Sequence, residues 1–170
     1  MRRDKINYYL DLAEVVLARS TCLRRQYGAV IVANDSVIST GYNGAPRGRK
    51  NCTDLGVCLR ESLGVARGER YELCRSVHAE ANAIIAASRK ETLGAALFLV
   101  GKEASDGAYV QDTDCCAMCK RHVINSGITT VYERIDKDNY RVVDVEKDWV
   151  EGDETLPPDI VPARYKESGK

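Results

Sequence analysis

Two short segments, far apart in the chain, carry residue types that bind metals, and they constrain the fold more than any other feature. One is His78-Ala79-Glu80, and the other is the C-x-x-C segment from Cys116 to Cys119. Neutral imidazole and thiolate are ligands that zinc prefers, and three protein ligands leave the fourth tetrahedral position for water. The fold of this chain is therefore expected to bring the two segments to one place.

The spacing within each segment predicts the role of each side chain. Residues two apart lie on nearly opposite sides of an α-helix, so Glu80 is poorly placed to join His78 as a second ligand. At the first turn of a helix, both side chains can lean toward a site beyond its end, which suits one ligand and one acid/base group. Cys116 and Cys119 share a helical face, and a helix N-terminus favours their thiolate forms.

Composition limits the classes of protein to which this chain can belong. Its 170 residues, of which 44% are hydrophobic, suggest one globular domain, which we place at residues 1–150, followed by an extended tail at residues 151–170. Lys and Arg number 25, as do Asp and Glu, so the net charge of zero gives no electrostatic footprint for nucleic acid or membranes. No apolar run approaches the roughly 20 residues of a membrane span, and the N-terminus does not resemble a signal peptide. We therefore expect a cytoplasmic protein.

The hydrophobic pattern predicts helices that alternate with strands. Such alternation indicates an α/β layer sandwich. The predicted elements are a helix at 4–19, a β-hairpin with strands at 28–33 and 37–42, a helix at 78–89, a strand at 97–100, a helix at 116–126, a strand at 128–132 and an edge strand at 140–145.

Two long segments lack a period and are predicted to be loops, at residues 43–75 and 101–114. Loops of this length are uncommon in compact domains unless they are functional, disordered or tied down. The first contains Cys52, Cys58 and Cys74 and a short helical turn predicted at 60–67. The chain has seven cysteines and no sign of secretion, so metal binding or catalysis is favoured over disulfide bonds. A metal would tie the first loop down.

The H-x-E and C-x-x-C segments together match the signature of the zinc nucleobase deaminases. More specifically, the chain resembles the deoxycytidylate (dCMP) deaminase family over roughly residues 6–132. The segments that support this resemblance, in the order of the family, are 19–22, 28–32, 41–46, 78–84 and 124–128.

The resemblance implies a three-layer α/β/α sandwich with a mixed central sheet of about five strands. It also implies that His78, Cys116 and Cys119 hold a catalytic Zn²⁺ and that Glu80 moves protons between water, the cytosine ring and the departing amine. The expected reaction is the hydrolysis of dCMP to dUMP and ammonia. Similar proteins are commonly hexamers regulated by dCTP and dTTP, so a homo-oligomer is expected, with its size and its regulation left open.

Further residues are assigned by the same resemblance. Asn43, the backbone of Ala79, and Arg89 are expected to contact the nucleotide. Some members of the family carry a second, structural zinc, and four cysteines here resemble its ligands, although ordinary buried thiols would also explain them. These four are Cys22, Cys52, Cys58 and Cys74.

The chain departs from the family at two places. Cys115 occupies the position before the first C-x-x-C cysteine, where the family usually has proline. This adds a thiol next to the metal; we expect it to be a bystander rather than a competing ligand. The segment 101–114 is longer than the usual connection and is expected to wall the substrate pocket, which puts the identity of the substrate in question.

Three other functions compete with deamination of a free nucleotide. The first is deamination of another base, such as an adenosine in tRNA or a guanine; the neutral charge argues against a polyanion such as tRNA. The second is a non-catalytic zinc module in which Cys115 fills the fourth position, although such a module does not need Glu80. The third is a thiol-redox protein that uses Cys116 and Cys119, which leaves His78 and Glu80 unexplained.

Overall fold

The computed structural model describes residues 2–66 and 68–157, and within them five strands form one mixed sheet. The order across the sheet is β2-β1-β3-β4-β5, with β3 and β4 parallel and every other neighbouring pair antiparallel. The predicted mixed sheet of about five strands is therefore confirmed. The strands are β1 (Arg25–Ala33), β2 (Ser36–Tyr42), β3 (Ala96–Glu103), β4 (Thr130–Arg134) and β5 (Tyr140–Asp144).

Helices cover both faces of this sheet. They are α1 (Lys5–Leu17), α2 (Cys52–Leu55), α3 (Leu59–Ser62), α4 (Ala79–Ile85), α5 (Arg89–Thr92) and α6 (Ala117–Ser126), with a 3₁₀-helix at Tyr71–Leu73 and a π-helix at Val145–Glu151. Asp4 caps α1 as a side-chain acceptor for the amide of Asn7, and Gly127 ends α6 in the left-handed conformation. None of the helices described is long and apolar enough to cross a bilayer.

The strand order dictates where α4 and α6 lie. Because β1 is antiparallel to both of its neighbours, β2 and β3 run in the same direction, as do β3 and β4. The connections from β2 to β3 and from β3 to β4 are therefore both crossovers between parallel strands, and both move in the same direction across the sheet. Right-handed crossovers place their helices on one face. The two helices then begin at the same sheet edge, beyond the carboxyl ends of β2 and β3, where α/β folds place their ligand sites.

Two hydrophobic cores fill the layers on either side of the sheet. Successive residues of β1 alternate between them: Ala29 and Ile31 pack with α4 and α6, whereas Val30 and Val32 pack with α1. In β3, Leu97 and Leu99 likewise belong to the first core. Because side chains alternate between the two faces and both faces are covered, residues of either parity are buried. This explains why apolar residues dominate both strands. The apolar residues on both faces of these strands thus account for the three layers, in which helices cover each face of the sheet.

Several predicted boundaries were wrong by a few residues. The helix predicted at 78–89 is two helices, because Ser88 begins a new one and exchanges capping hydrogen bonds with Glu91. The strand predicted at 97–100 continues to Glu103, since Lys102 and Glu103 still pair with β1. The loop predicted to begin at residue 101 therefore begins at Ala104. β1 begins three residues earlier than predicted, and β4 lies two residues later.

The segment between β2 and α4 has little regular structure, as predicted. It contains α2, α3 and the 3₁₀-helix, so the helical turn predicted at 60–67 is seen only as Leu59–Ser62, and Arg67 lies outside the described residues. The predicted tail at 151–170 is described only to Pro157, and residues 158–170 lie outside the described part. The division into a domain at 1–150 and a tail stays a prediction.

Candidate active site

The two predicted ligand segments each sit at the start of a helix. His78 is the N-cap of α4 and Cys116 is the N-cap of α6, and both have extended backbone with ψ of 156° and 158°. Neither side chain bonds to its own helix as a cap. An N-cap side chain in this conformation is free to point beyond the helix end. The two helix starts therefore direct an imidazole and a sulfur at the space between them.

These side chains and Cys119 converge as predicted. The Nδ1 atom of His78 lies 3.4 Å from the Sγ atom of Cys116 and 3.4 Å from that of Cys119. The three donor atoms all lie within 4.8 Å of one another. An imidazole nitrogen and two sulfurs at this separation match the donor types and spacing of a tetrahedral zinc site with one position left open.

The three side chains of this group also shift one another's pKa values. Burial lowers the pKa of His78, but hydrogen bonds to the sulfurs of Cys116 and Cys74 outweigh it and raise the pKa to about 10. The Cys119 thiol donates to Cys116, which holds the pKa of Cys116 well below its usual range. A metal ion bound here would displace the imidazolium proton of His78 and the thiol proton of Cys119, because these ligands bind in their deprotonated forms.

Glu80 lies next to the ligand group and is almost fully buried, at 5% exposure. Burial raises the pKa of its carboxyl, and the positive charge of His78 partly opposes that rise. A buried carboxyl with a raised pKa is suited to accept and return a proton near neutral pH. The thiol of Cys115 lies against this carboxylate and is itself buried. Cys115 is absent from the ligand group, so the structure gives no support to Cys115 as a competing ligand.

Contacts with β2 fix the start of α4. Ser39 donates a hydrogen bond of 2.7 Å to the carbonyl of Ala83, and Asn82 donates one of 2.8 Å to the carbonyl of Tyr42. Gly41 allows the strand and the helix to approach closely, because a Cβ atom there would lie 2.3 Å from the carbonyl oxygen of Ala79. The sequence Gly41-Tyr42-Asn43-Gly44 therefore serves the site by supporting α4.

A cavity of about 340 Å³ opens onto the ligand group. Its wall includes His78, Glu80 and Cys116 together with Glu103, Ser105 and Asp114 from the end of β3 and the following loop, so that segment does border the pocket as predicted. The aromatic and basic residues of this wall were not predicted from the sequence. They are Arg24, Arg25, Tyr27, Arg60 and Tyr71.

These missed residues carried only weak sequence signals. Arg24 and Arg25 lie between the segments 19–22 and 28–32 that carry the family resemblance, and Tyr71 lies in a segment without a period. In the structure, Tyr71 contacts the ring of His78 edge-on with centroids 5.1 Å apart, and the Arg60 guanidinium lies 4.5 Å above the Tyr71 ring.

The predicted substrate-binding residues divide into two groups. Asn43 and Ala79 line the cavity. The Asn43 side chain accepts hydrogen bonds from Ser20 and from the Tyr27 amide and donates to the carbonyl of Arg25, so it also holds the cavity wall together. Arg89 does not line this cavity. It lies at the start of α5, donates to the carbonyl of Asn125, and borders a separate surface cavity.

The four other candidate ligands lie near one another but less tightly than the first group. The pKa of Cys52 is raised by its burial and then by the charges of Cys22, Cys58 and Cys74, which places all four in one neighbourhood. Among the described residues, the donor atoms of these four do not approach one another within 4.8 Å in threes, as those of His78, Cys116 and Cys119 do. All seven cysteines are free thiols.

Comparison with known proteins places this architecture among characterised deaminases. The family model described as "Cytidine and deoxycytidylate deaminase zinc-binding region" matches residues 3–134. A deoxycytidylate deaminase of Mycobacterium phage D29 is 33% identical over 135 residues, which cover 76% of this chain and 94% of that protein. The fungal enzyme of Schizosaccharomyces pombe is 34% identical over 125 residues, which cover 74% of this chain. The matched part spans only 35% of the fungal protein's length.

A solved structure agrees with these relatives. The dCMP deaminase from the cyanophage S-TIM5, in complex with dCMP and dUMP, superposes with a TM-score of 0.53 at 25% identity. The superposition covers 79% of this chain and 83% of that one. The resemblance in fold therefore extends over most of the described residues.

Proposed function

Since this chain belongs to the cytidine and deoxycytidylate deaminase zinc-binding family, we propose that it hydrolyses dCMP to dUMP and ammonia. One observation carries the proposal: His78, Cys116 and Cys119 converge beside a cavity whose wall includes His78, Cys116 and the buried carboxyl of Glu80. Relatives named deoxycytidylate deaminases support the choice of dCMP over other cytosine compounds.

The residues divide the chemical work between them. His78, Cys116 and Cys119 would hold Zn²⁺, which supplies Lewis-acid activation of the attacking water. Glu80 takes a proton from that water and delivers protons to N3 of the cytosine and to the departing amine. The Ala79 amide, at the first turn of α4, has no partner within the helix and is free to bind the base.

Basic residues on the cavity wall favour an anionic nucleotide. Arg24 and Arg25 both line the cavity, and Arg24 pairs through Nε with Glu61 at 2.9 Å. The Nη1 atom of Arg24 is buried without a hydrogen-bond partner among the described residues. A guanidinium with an unpaired N–H is suited to a phosphate oxygen. The neutral net charge of the chain is thus compatible with a small, locally recognised anion rather than a polyanion.

Replacing Glu80 tests the proposal directly. The wild-type protein is expected to release ammonia from dCMP and to hold one catalytic zinc, whereas Glu80→Gln is expected to lose at least about a thousandfold in kcat and to keep the zinc. A panel with dCMP, deoxycytidine, dCTP, adenosine and guanine compounds identifies the substrate. If another base is consumed and dCMP is not, the assignment of dCMP is wrong. If nothing is consumed by zinc-loaded protein, the non-catalytic module is favoured.

We extend the proposal to a second, structural zinc bound by Cys22, Cys52, Cys58 and Cys74. Their mutual proximity and the shortage of regular structure around them support it. A homo-oligomer, with a hexamer expected by analogy, and a cytoplasmic location also stay proposals. In an oligomer, Arg89 and its surface cavity would face a neighbouring chain rather than the cavity of their own. Metal analysis of the purified protein tests the second zinc, and sedimentation tests the homo-oligomer.

A further inference from the structure

The residues directly before Cys116 are held by an ion pair from the far edge of the sheet. Glu133 on β4 and Arg141 on β5 lie directly opposite each other in the antiparallel register. The Nε atom of Arg141 donates to Oε2 of Glu133 at 2.8 Å, and its Nη2 atom donates to the carbonyl of Thr113 at 2.9 Å. Arg141 therefore joins the sheet edge to the segment that leads into the metal-binding helix.

Glu133 is an unusual residue in this position because it is a carboxylate with only 1% exposure. Burial raises its pKa to about 7, while Arg141 and the backbone N–H of Cys115 oppose the rise. Its Oε1 atom has no hydrogen-bond partner in the described part of the chain. Burying a carboxylate is costly, so its placement calls for a compensating role. The Cys115 N–H that faces this carboxylate is a group that proline would lack.

Cys115 connects this ion pair to the proposed proton-transfer group. Cys115 is buried between two carboxylates. Its thiol contacts Glu80, and its backbone N–H faces Glu133. A thiol in this position can donate to Glu80 and limit the rotation of its carboxyl group. The path from the sheet edge thus runs from Arg141 through Glu133 and Cys115 to Glu80.

We propose that Glu133 and Arg141 are positioning residues for Glu80, which they hold in place by fixing Cys115 and the turn before α6. The inference rests on the proposed function, because it gives Glu80 its proton-transfer role. It also assigns a task to Cys115, whose backbone N–H and thiol link the turn before α6 to Glu133 and to Glu80.

Steady-state kinetics of zinc-loaded variants test this assignment. Glu133→Gln and Arg141→Met are each expected to lower kcat about tenfold, to change KM less than about twofold, and to keep the catalytic zinc. Cys115→Ala is expected to match them, whereas Cys115→Ser, which keeps a donor, is expected to stay within about threefold of wild type. Val142→Ala is the matched control, because Val142 neighbours Arg141 on β5 and its side chain is 52% exposed.

A double variant separates positioning through Cys115 from independent effects. If Glu133 acts through Cys115, Glu133→Gln combined with Cys115→Ala lowers kcat no further than about tenfold in total. A loss near a hundredfold, the product of the two, overturns the proposal. Unchanged kcat in both Glu133→Gln and Arg141→Met also overturns it. A merely structural role is expected to reduce stability or zinc content without this selective, non-additive loss of kcat.

Hydrogen exchange supplies a readout that does not depend on activity. The amides of residues 113–116 are expected to exchange at least about tenfold faster in Glu133→Gln and Arg141→Met than in wild type or Val142→Ala. Unchanged exchange at these amides overturns the inference even if the protein proves inactive on dCMP. Inactivity of the wild-type protein contradicts the proposed function instead, so the two failures are distinguishable.

Discussion

The two cysteine-bearing regions of this molecule are built in opposite ways. Cys116 is the N-cap of a ten-residue helix that packs against the sheet, and Cys119 lies in its first turn; His78 is the N-cap of a helix fixed by hydrogen bonds to β2. The four-cysteine region, by contrast, relies on two four-residue helices and a 3₁₀ turn. Its apolar side chains are largely exposed, among them Leu55, Val57, Leu59 and Leu63.

The fold orders the two sets of thiols by different means. Where donor atoms are carried by the first turn of packed helices, they lie within 4.8 Å of one another without further help. Where they are carried by short turns with little buried apolar area, the chain itself provides less of the ordering. A metal bound by the second set would contribute to folding, whereas one bound by the first set would mainly contribute chemistry.

Exchanging one sulfur in each region gives the largest expected contrast. Cys119→Ser is expected to lose the catalytic zinc and to lower turnover of dCMP by at least about a thousandfold, because the metal would keep only two strong ligands. Cys52→Ser is expected to keep that zinc and most of the turnover but to increase proteolysis between residues 50 and 77. Zinc content, kcat and limited proteolysis measure the three effects. Equal loss of the catalytic zinc in both variants would contradict the contrast.

Adding one methyl group in each region compares how closely they are packed. At Gly41 a Cβ atom would lie 2.3 Å from the oxygen of Ala79 and 2.3 Å from the nitrogen of Ala83, both of them backbone atoms. Gly41→Ala is therefore expected to lower the free energy of unfolding by about 3 kcal/mol. Gly56 faces open space with φ of +66°, so Gly56→Ala is expected to cost about 1 kcal/mol. Urea denaturation followed by circular dichroism measures both, and a cost at Gly41 no larger than that at Gly56 would contradict the close approach of Gly41 to α4.

The pH dependence of stability gives a smaller contrast, with a definite sign. Because the pKa of Glu133 rises from 4.5 to about 7 on folding, the native protein binds its proton more tightly than the unfolded chain. This carboxyl therefore lowers the free energy of unfolding as the pH increases from about 4.5 to about 7, by up to about 3 kcal/mol.

Glu133→Gln is expected to remove that decrease, which denaturant titrations at pH 5 and pH 8 would detect. Glu72, in the loop region, is the control: its pKa is lowered by a hydrogen bond from Arg70, and the pair is exposed. Glu72→Gln is expected to leave the curve almost unchanged. A wild-type curve that is flat over this range would contradict the assignment to Glu133.

Local patterns predicted the site better than the boundaries around it. His78, Cys116 and Cys119 converge because helix starts and strand ends follow from short-range signals, and their proposed role as ligands follows from the H-x-E and C-x-x-C spacings. The mixed sheet of five strands was also predicted. The apolar residues after Glu80 predicted one helix where the structure has two. Periodicity does not show that Ser88 caps the start of a second helix.

The network behind the site could not be read from the sequence. Glu133 and Arg141 meet only through the register of β4 and β5, and the contact of Arg141 with Thr113 joins residues that are distant in the chain. The burial of Glu133 depends on the same three-dimensional packing. Likewise, the stacking of Arg60 on Tyr71 arises in a segment without a period, where no pattern predicts a contact.

The single parallel pair in the sheet also has a consequence for the order of assembly. The hairpin of β1 and β2 closes through a two-residue turn at Asn34 and Asp35, so it can form early and locally. β3 and β4 pair only after the chain between them has looped back through α6, and loop closure of this kind is slow. We therefore expect His78 and the C-x-x-C thiols to meet after the hairpin has formed, so that a metal site built from both would be completed late in folding.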